Sequence, residues 1–100
     1  MIIYNTTFVV DLKEATDFIY EIKTTILLDL KSNKECQDAY FLELQNVDTQ
    51  EHISYALQIH FDDLAAFNNY KLFKEPKFLE QITNKYGEKV LYFSTVLKEV

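Results

Sequence analysis

Two histidines, one cysteine and 16 carboxylates are the first groups of this 100-residue chain to weigh for moving a proton, holding a metal or attacking a carbonyl. His60 stands first among them, because imidazole is the side chain that titrates near neutrality unperturbed, and it sits late in a strand-like run where a cavity can open. As an acid or base it would need a polar neighbour, and Glu43 and Gln58 are the candidates on the same sheet face. The plainer reading of His60, a solvated or interface histidine, outweighs this one: no nucleophile or metal partner is identifiable in the sequence. His52 falls in a polar linker, and neither a C-x-x-C nor an H-x-x-x-H spacing accompanies the pair, so no metal site is expected. Cys36 lies between Glu35 and Asp38, whose charges raise a thiol pKa and oppose thiolate chemistry. Ser94 and Thr95 lie inside a strand without the glycine-flanked elbow that activates a serine nucleophile. Asp62 and Asp63 read as a helix cap, although adjacent carboxylates bind cations loosely. No cofactor is implied.

Composition narrows the classes further. A single glycine, Gly87, excludes cradles for phosphate or dinucleotide, which need several glycines where backbone approaches the ligand. The formal charge of −6 argues against nucleic acid, whose affinity comes from basic side chains on phosphates. All 10 basic residues are lysine, so no guanidinium fork is present to grip phosphate or carboxylate. A lone cysteine and no basic, apolar leader point to a reducing cytoplasm. No apolar run approaches the ~20 residues of a membrane span. With 48% hydrophobic residues, the chain fits one compact domain spanning residues 1–100.

The elements that must position these groups follow from periodicity. Ile2 to Val10 is β-branched and aromatic, a first strand. Asp11 and Glu14 form a D-x-x-E start signal, and Ala15, Phe18, Ile19, Ile22, Ile26 and Leu30 then recur at helical spacing to about Leu30. Ala39 to Gln45 and Ile53 to Phe61 read as two strands joined by a polar linker over Asn46 to His52. Asp62 or Asp63 caps a second helical region with Leu64, Phe67 and Tyr70 inward. Pro76 predicts a break and a fresh turn, with Leu79, Ile82 and Tyr86 continuing the apolar face. Gly87 suits a helix end that wants a positive φ, and Val90 to Leu97 is the last strand. This β-α-β-β-α-β order builds a ferredoxin-like α+β sandwich: a four-stranded antiparallel sheet in order 4-1-3-2 with helices on one face.

Alternation assigns the two faces of that sheet. Ile53, Tyr55, Leu57, Ile59 and Phe61 match Ile2, Tyr4, Thr6, Phe8 and Val10 as the face under the helices, with Tyr40, Leu42 and Leu44 expected there too. The opposite face collects Asn5, Thr7, Phe41, Glu43, Gln45, Ser54, Gln58 and His60, mixed with Ile3 and Val9. The last strand is mixed on both sides, and its faces are not assigned. A sheet with helices on one side either wets its other side or covers it with a partner, and a homodimer through this open face is expected. Asn5, Thr7, Glu43, Gln58, His60 and Tyr92 are the candidate ligand-binding residues. Tyr4, Tyr55 and Tyr92 could line an aromatic pocket for an apolar ligand, against the commoner reading as core.

Three stretches carry a resemblance across the whole chain: Met1-Ile2-Ile3-Tyr4-Asn5-Thr6-Thr7, Ser54-Tyr55-Ala56-Leu57-Gln58, and Gly87-Glu88-Lys89-Val90-Leu91-Tyr92-Phe93-Ser94-Thr95. The chain resembles a family of short Bacteroidetes proteins known as a domain of unknown function. Members of that family tend to carry an aromatic and a proline near the end of the first helix, whereas this chain has Thr24-Thr25-Ile26-Leu27. The architecture is also similar to the dimeric α/β-barrel group of small monooxygenases, isomerases and ligand-sensing domains. Fold and resemblance together imply a small cytoplasmic homodimer that binds a small apolar molecule or a protein partner without catalysis. The competing class is a cofactor-independent, monooxygenase- or isomerase-like enzyme using His60 as acid or base.

Overall fold

The computed structural model describes residues 1–45 and 50–100. Most of the predicted linker falls at residues 46–49, outside the described residues. Strand β1 (Ile2–Asp11) is followed by a short 3-10 turn, helices α1 (Ala15–Thr24) and α2 (Ile26–Ser32), and strands β2 (Cys36–Glu43) and β3 (His52–Phe61). Helix α3 (Leu64–Asn69), a π-helical turn (Tyr70–Lys74), helix α4 (Glu75–Tyr86) and strand β4 (Val90–Lys98) complete the order. The sheet runs β2-β3-β1-β4 with every neighbour antiparallel, the arrangement expected for a ferredoxin-like sandwich.

The helices begin where acceptors meet orphan amides. Asp11 accepts from the Lys13 amide at 2.9 Å, and Asp63 from the Ala66 amide at 2.9 Å. The single helix predicted to Leu30 is instead two, parted at Thr25, whose φ −117° and ψ −94° leave the helical region. The Thr25 hydroxyl donates back to the Glu21 carbonyl at 2.5 Å, the local competition by which threonine weakens a helix interior. Ile26 and Leu30 remain on the buried stripe across this break. At Pro76 no break occurs. The chain absorbs the missing amide by widening into a π turn over Tyr70–Lys74 and resumes α-helix with proline near its start, where no intrahelical donor is needed. Leu64, expected inward, is exposed at the first turn of α3; Ala66 and Phe67 take the buried side instead.

The core lies between the helices and one sheet face. Phe8, Val10, Phe18, Ile22, Leu57 and Ile59 are wholly buried there. Phe18 is its hub, with ring centroids 5.2 Å from Phe8 and 5.6 Å from Tyr86. Tyr4 and Tyr55 belong to this core, as the commoner reading of strand tyrosines expected. Gly87 ends α4 at φ +57°.

Candidate functional site

The register fixes which side chains share the open face. On β3 the alternation predicted from sequence is the one observed. Leu57 and Ile59 lie under the helices, while Gln58 and His60 pair with Asn5 and Ile3 on the other side. Strand β2 is reversed relative to expectation. Cys36 pairs with Phe61 but Asp38 pairs with His60, so one extra residue is accommodated between them and every later side chain changes sides. Ala39 and Phe41 therefore pack toward the helices, and Tyr40 and Leu42 point outward beside Gln58 and Ala56. Glu43 consequently pairs with Tyr55 on the helix side. It lies five residues along β3 from His60, about 17 Å, so the structure does not bring the two together.

Strand β4 settles by pairing what alternation left open. Leu91, Phe93, Thr95 and Leu97 sit opposite Val9, Thr7, Asn5 and Ile3 on the open face. Tyr92 sits opposite Phe8, on the helix side, with ring centroids 6.1 Å apart, so it does not join the open-face candidates.

Around His60 the structure assembles partners that sequence reasoning missed. The Tyr40 ring meets the imidazole edge-on at 5.4 Å, and the Tyr40 hydroxyl donates to Asp38. That hydrogen bond, with the Ala39 amide, holds the Asp38 carboxyl below the usual carboxylate range, and pushes the Tyr40 phenol up. The only prior signal for this cluster was the period of β2, which the irregularity at its start inverts. One row further on, Asn5, Thr7, Leu42, Ala56 and Gln58 surround a shallow hollow, with Glu43 at its edge. Asn5 Nδ2 donates to Thr7 Oγ1 at 3.2 Å, while Asn5 Oδ1 is buried without a partner among the described residues. The middle of the open face is therefore polar, and its flanks, Tyr40 and Leu42 on β2 and Leu91, Phe93 and Leu97 on β4, are apolar and exposed.

A second cavity, of about 270 Å³, lies on the helix side, between α2, the start of β2 and the π turn. Leu30, Cys36, Phe61, Tyr70 and Phe73 line it, with Asn33, Glu35, Asn69 and Lys74 completing the wall. Burial and the charge of Asp38 push the Cys36 thiol up, and its Sγ donates to the Asp38 carbonyl. Among the described residues no three of His, Cys, Asp and Glu converge as a metal ion would require. No helix among them is long and apolar enough to cross a membrane.

Comparison with known proteins bears on the fold. The model of a family described as "Domain of unknown function (DUF4286)" matches residues 1–100. No curated protein matches the sequence. A Deinococcus radiodurans protein provisionally named an antibiotic biosynthesis monooxygenase superposes with TM-score 0.75 at 14% identity, over 100% of this chain and 93% of that one. A Mesorhizobium loti protein of the dabb family, described as ferredoxin-like, gives TM-score 0.58 at 16% identity, over 100% and 99%. A dimeric ferredoxin-like protein from an uncultured marine organism gives 0.56 at 15%, over 99% and 98%. At such identities the likeness is one of fold.

Proposed function

This chain belongs to the DUF4286 family, and for it we propose a non-catalytic binding role carried by a homodimer in which two open sheet faces meet. The observation that carries this reading is the apolar character of β4. Leu91, Phe93 and Leu97 are exposed on the open face, and Tyr92 and Val96 are exposed on the other, so the helices of one copy do not cover this strand beyond Val90. Contiguous apolar surface of this kind marks an interaction site. A second copy is the occupant that fits. The face is about 19 by 30 Å by strand spacing and rise, of the order of the ~800 Å² each partner gives to a standard interface. A two-fold axis lets the apolar flanks of one sheet pack on those of the other around the polar centre. Asn5, Thr7 and Gln58 then line the interior between the sheets, where a donor from the second copy or an enclosed water can reach Asn5 Oδ1. The marine neighbour of the same fold is described as dimeric, which supports this assembly.

Binding is favoured over catalysis by what surrounds His60. Its neighbours are the Tyr40 ring, the apolar Ile3 and Asp38, whose carboxyl is already taken up by the Tyr40 hydroxyl, and no thiol or serine hydroxyl stands among them. Light scattering at micromolar concentration tests the assembly. Twice 11.9 kDa is the expected mass, and a species at 11.9 kDa alone would overturn it.

A further inference from the structure

The helix-side cavity is built from one chain and lies on the opposite side of the sheet from the proposed dimer face. Tyr70 stands in its wall. The residue is 3% exposed, and its hydroxyl makes no hydrogen bond to any described residue. The oxygen is not a sealed, partnerless atom, so it remains accessible and can donate to a ligand acceptor. Burial and the nearby Glu75 carboxylate push the Tyr70 phenol up, so it stays protonated and can only offer its proton to a ligand acceptor or accept from a donor.

The rest of the wall selects among acceptors. Phe61 and Phe73 add aromatic surface, and Leu30 closes the inner side. The one cation, Lys74, is already held by Asp29 at 2.7 Å, and Glu35 accepts from Asn69 at 3.1 Å. An anionic ligand would meet the Glu35 charge with no free counter-ion, so an uncharged molecule is favoured. The Cys36 thiol is engaged with the Asp38 carbonyl, and of the polar residues in the wall Tyr70 alone is buried, Asn33 being half-buried and Asn69 exposed. At roughly 30 Å³ per water-sized group the cavity holds about nine such groups, the size of a substituted ring. The π turn produces this geometry: it carries Tyr70 inward and turns Phe73 to the rim, and such turns recur at functional sites.

We propose that this cavity binds an uncharged, largely aromatic small molecule, held by a hydrogen bond from the Tyr70 hydroxyl to a carbonyl-type oxygen. The proposal rests on reading the chain as a binding module, and is independent of the dimer because every wall residue belongs to one copy.

The test uses three probes on isotope-labelled full-length protein followed by amide shifts: acetophenone, ethylbenzene and benzoate. Acetophenone is expected to shift Cys36, Tyr70 and Phe73 saturably, ethylbenzene to bind several-fold more weakly, and benzoate not to bind. Tyr70→Phe is expected to weaken acetophenone by about three- to tenfold, the worth of one hydrogen bond, without changing ethylbenzene. Phe73→Ala, at an exposed position that the fold does not need, is expected to weaken both. Absence of saturable shifts at millimolar acetophenone, shifts confined to the open sheet face, or equal acetophenone affinity in Tyr70→Phe would each overturn the proposal. The mass of the same samples separates the two ideas: a dimer whose cavity stays silent refutes the site and leaves the assembly standing, and a monomer that binds acetophenone does the reverse.

Discussion

Thr7 and Phe93 face each other across β1 and β4 on the open side of the sheet, yet Thr7 is 6% exposed and Phe93 61%. The small polar residue sits in a trough and the ring stands on its ridge. Such a ridge is where a partner would gain most from burial, since aromatic anchors dominate interface energetics. Phe93→Asp should therefore halve the mass while leaving the far-ultraviolet circular dichroism unchanged. The wild-type melting temperature should rise with protein concentration and that of the variant should not, because mass action stabilises only the associating form. A variant that keeps the dimer mass would remove β4 from the interface.

Phe18 holds the helical layer to the sheet. It is wholly buried and lies within 6.2 Å, centroid to centroid, of Phe41 as well as touching Phe8 and Tyr86. Phe18→Ala should cost about 3–5 kcal/mol through lost transfer energy and a cavity the neighbouring rings cannot fill. Urea denaturation checks this. A loss below about 1 kcal/mol would mean the core repacks in a way this geometry does not allow.

Tyr86 and Asp17 tie α4 to α1. The Tyr86 hydroxyl donates to Asp17 Oδ2 at 2.6 Å, and Lys85 Nζ lies 3.2 Å from the same carboxyl oxygen. The hydrogen bond from Tyr86, then that from Lys85, holds the Asp17 carboxyl below its ordinary value. A carboxyl whose folded pKa is depressed adds stability above its unfolded pKa, and that stability is lost as pH falls through the folded value. Tyr86→Phe should thus lower the melting temperature at neutral pH and narrow its gap from wild type below about pH 4, where an unperturbed aspartate protonates. A gap that widens in acid would contradict the assignment.

Gly87 tests backbone rather than packing. Its φ of +57° with ψ −131° is closed to side-chain-bearing residues, although a Cβ there would meet nothing within 4 Å. Gly87→Ala should cost about 1–3 kcal/mol in strain alone. Asparagine should not rescue it, since this ψ lies outside the left-handed helical well that asparagine tolerates. A neutral Gly87→Ala in chemical denaturation would show that the turn relaxes.

Much of this fold is legible in the sequence because the strongest periodicities coincide with burial. The alternation of Ile53 to Phe61 and the stripe Phe18, Ile22, Ile26, Leu30 each assign a face correctly. Errors arise where one residue resets a phase. In β2 both alternating sets are apolar, Ala39 and Phe41 against Tyr40 and Leu42, and only the pairing of Asp38 with His60 decides between them. That inversion moved Glu43 off the open face and brought Tyr40 and Asp38 to His60. The helix-side cavity was not legible at all, since it depends on a π turn whose residues carry an ordinary helical pattern and whose position is set by accommodating Pro76 downstream.

Isotope-filtered nuclear Overhauser measurements on an equal mixture of labelled and unlabelled protein bear most directly on the face-to-face assembly. Cross-peaks between copies should involve Leu42, Leu91, Phe93 and Leu97 and be absent from α1 and α4. Cross-peaks that map to the helices, or none at concentrations where the mixture has equilibrated, would contradict the account.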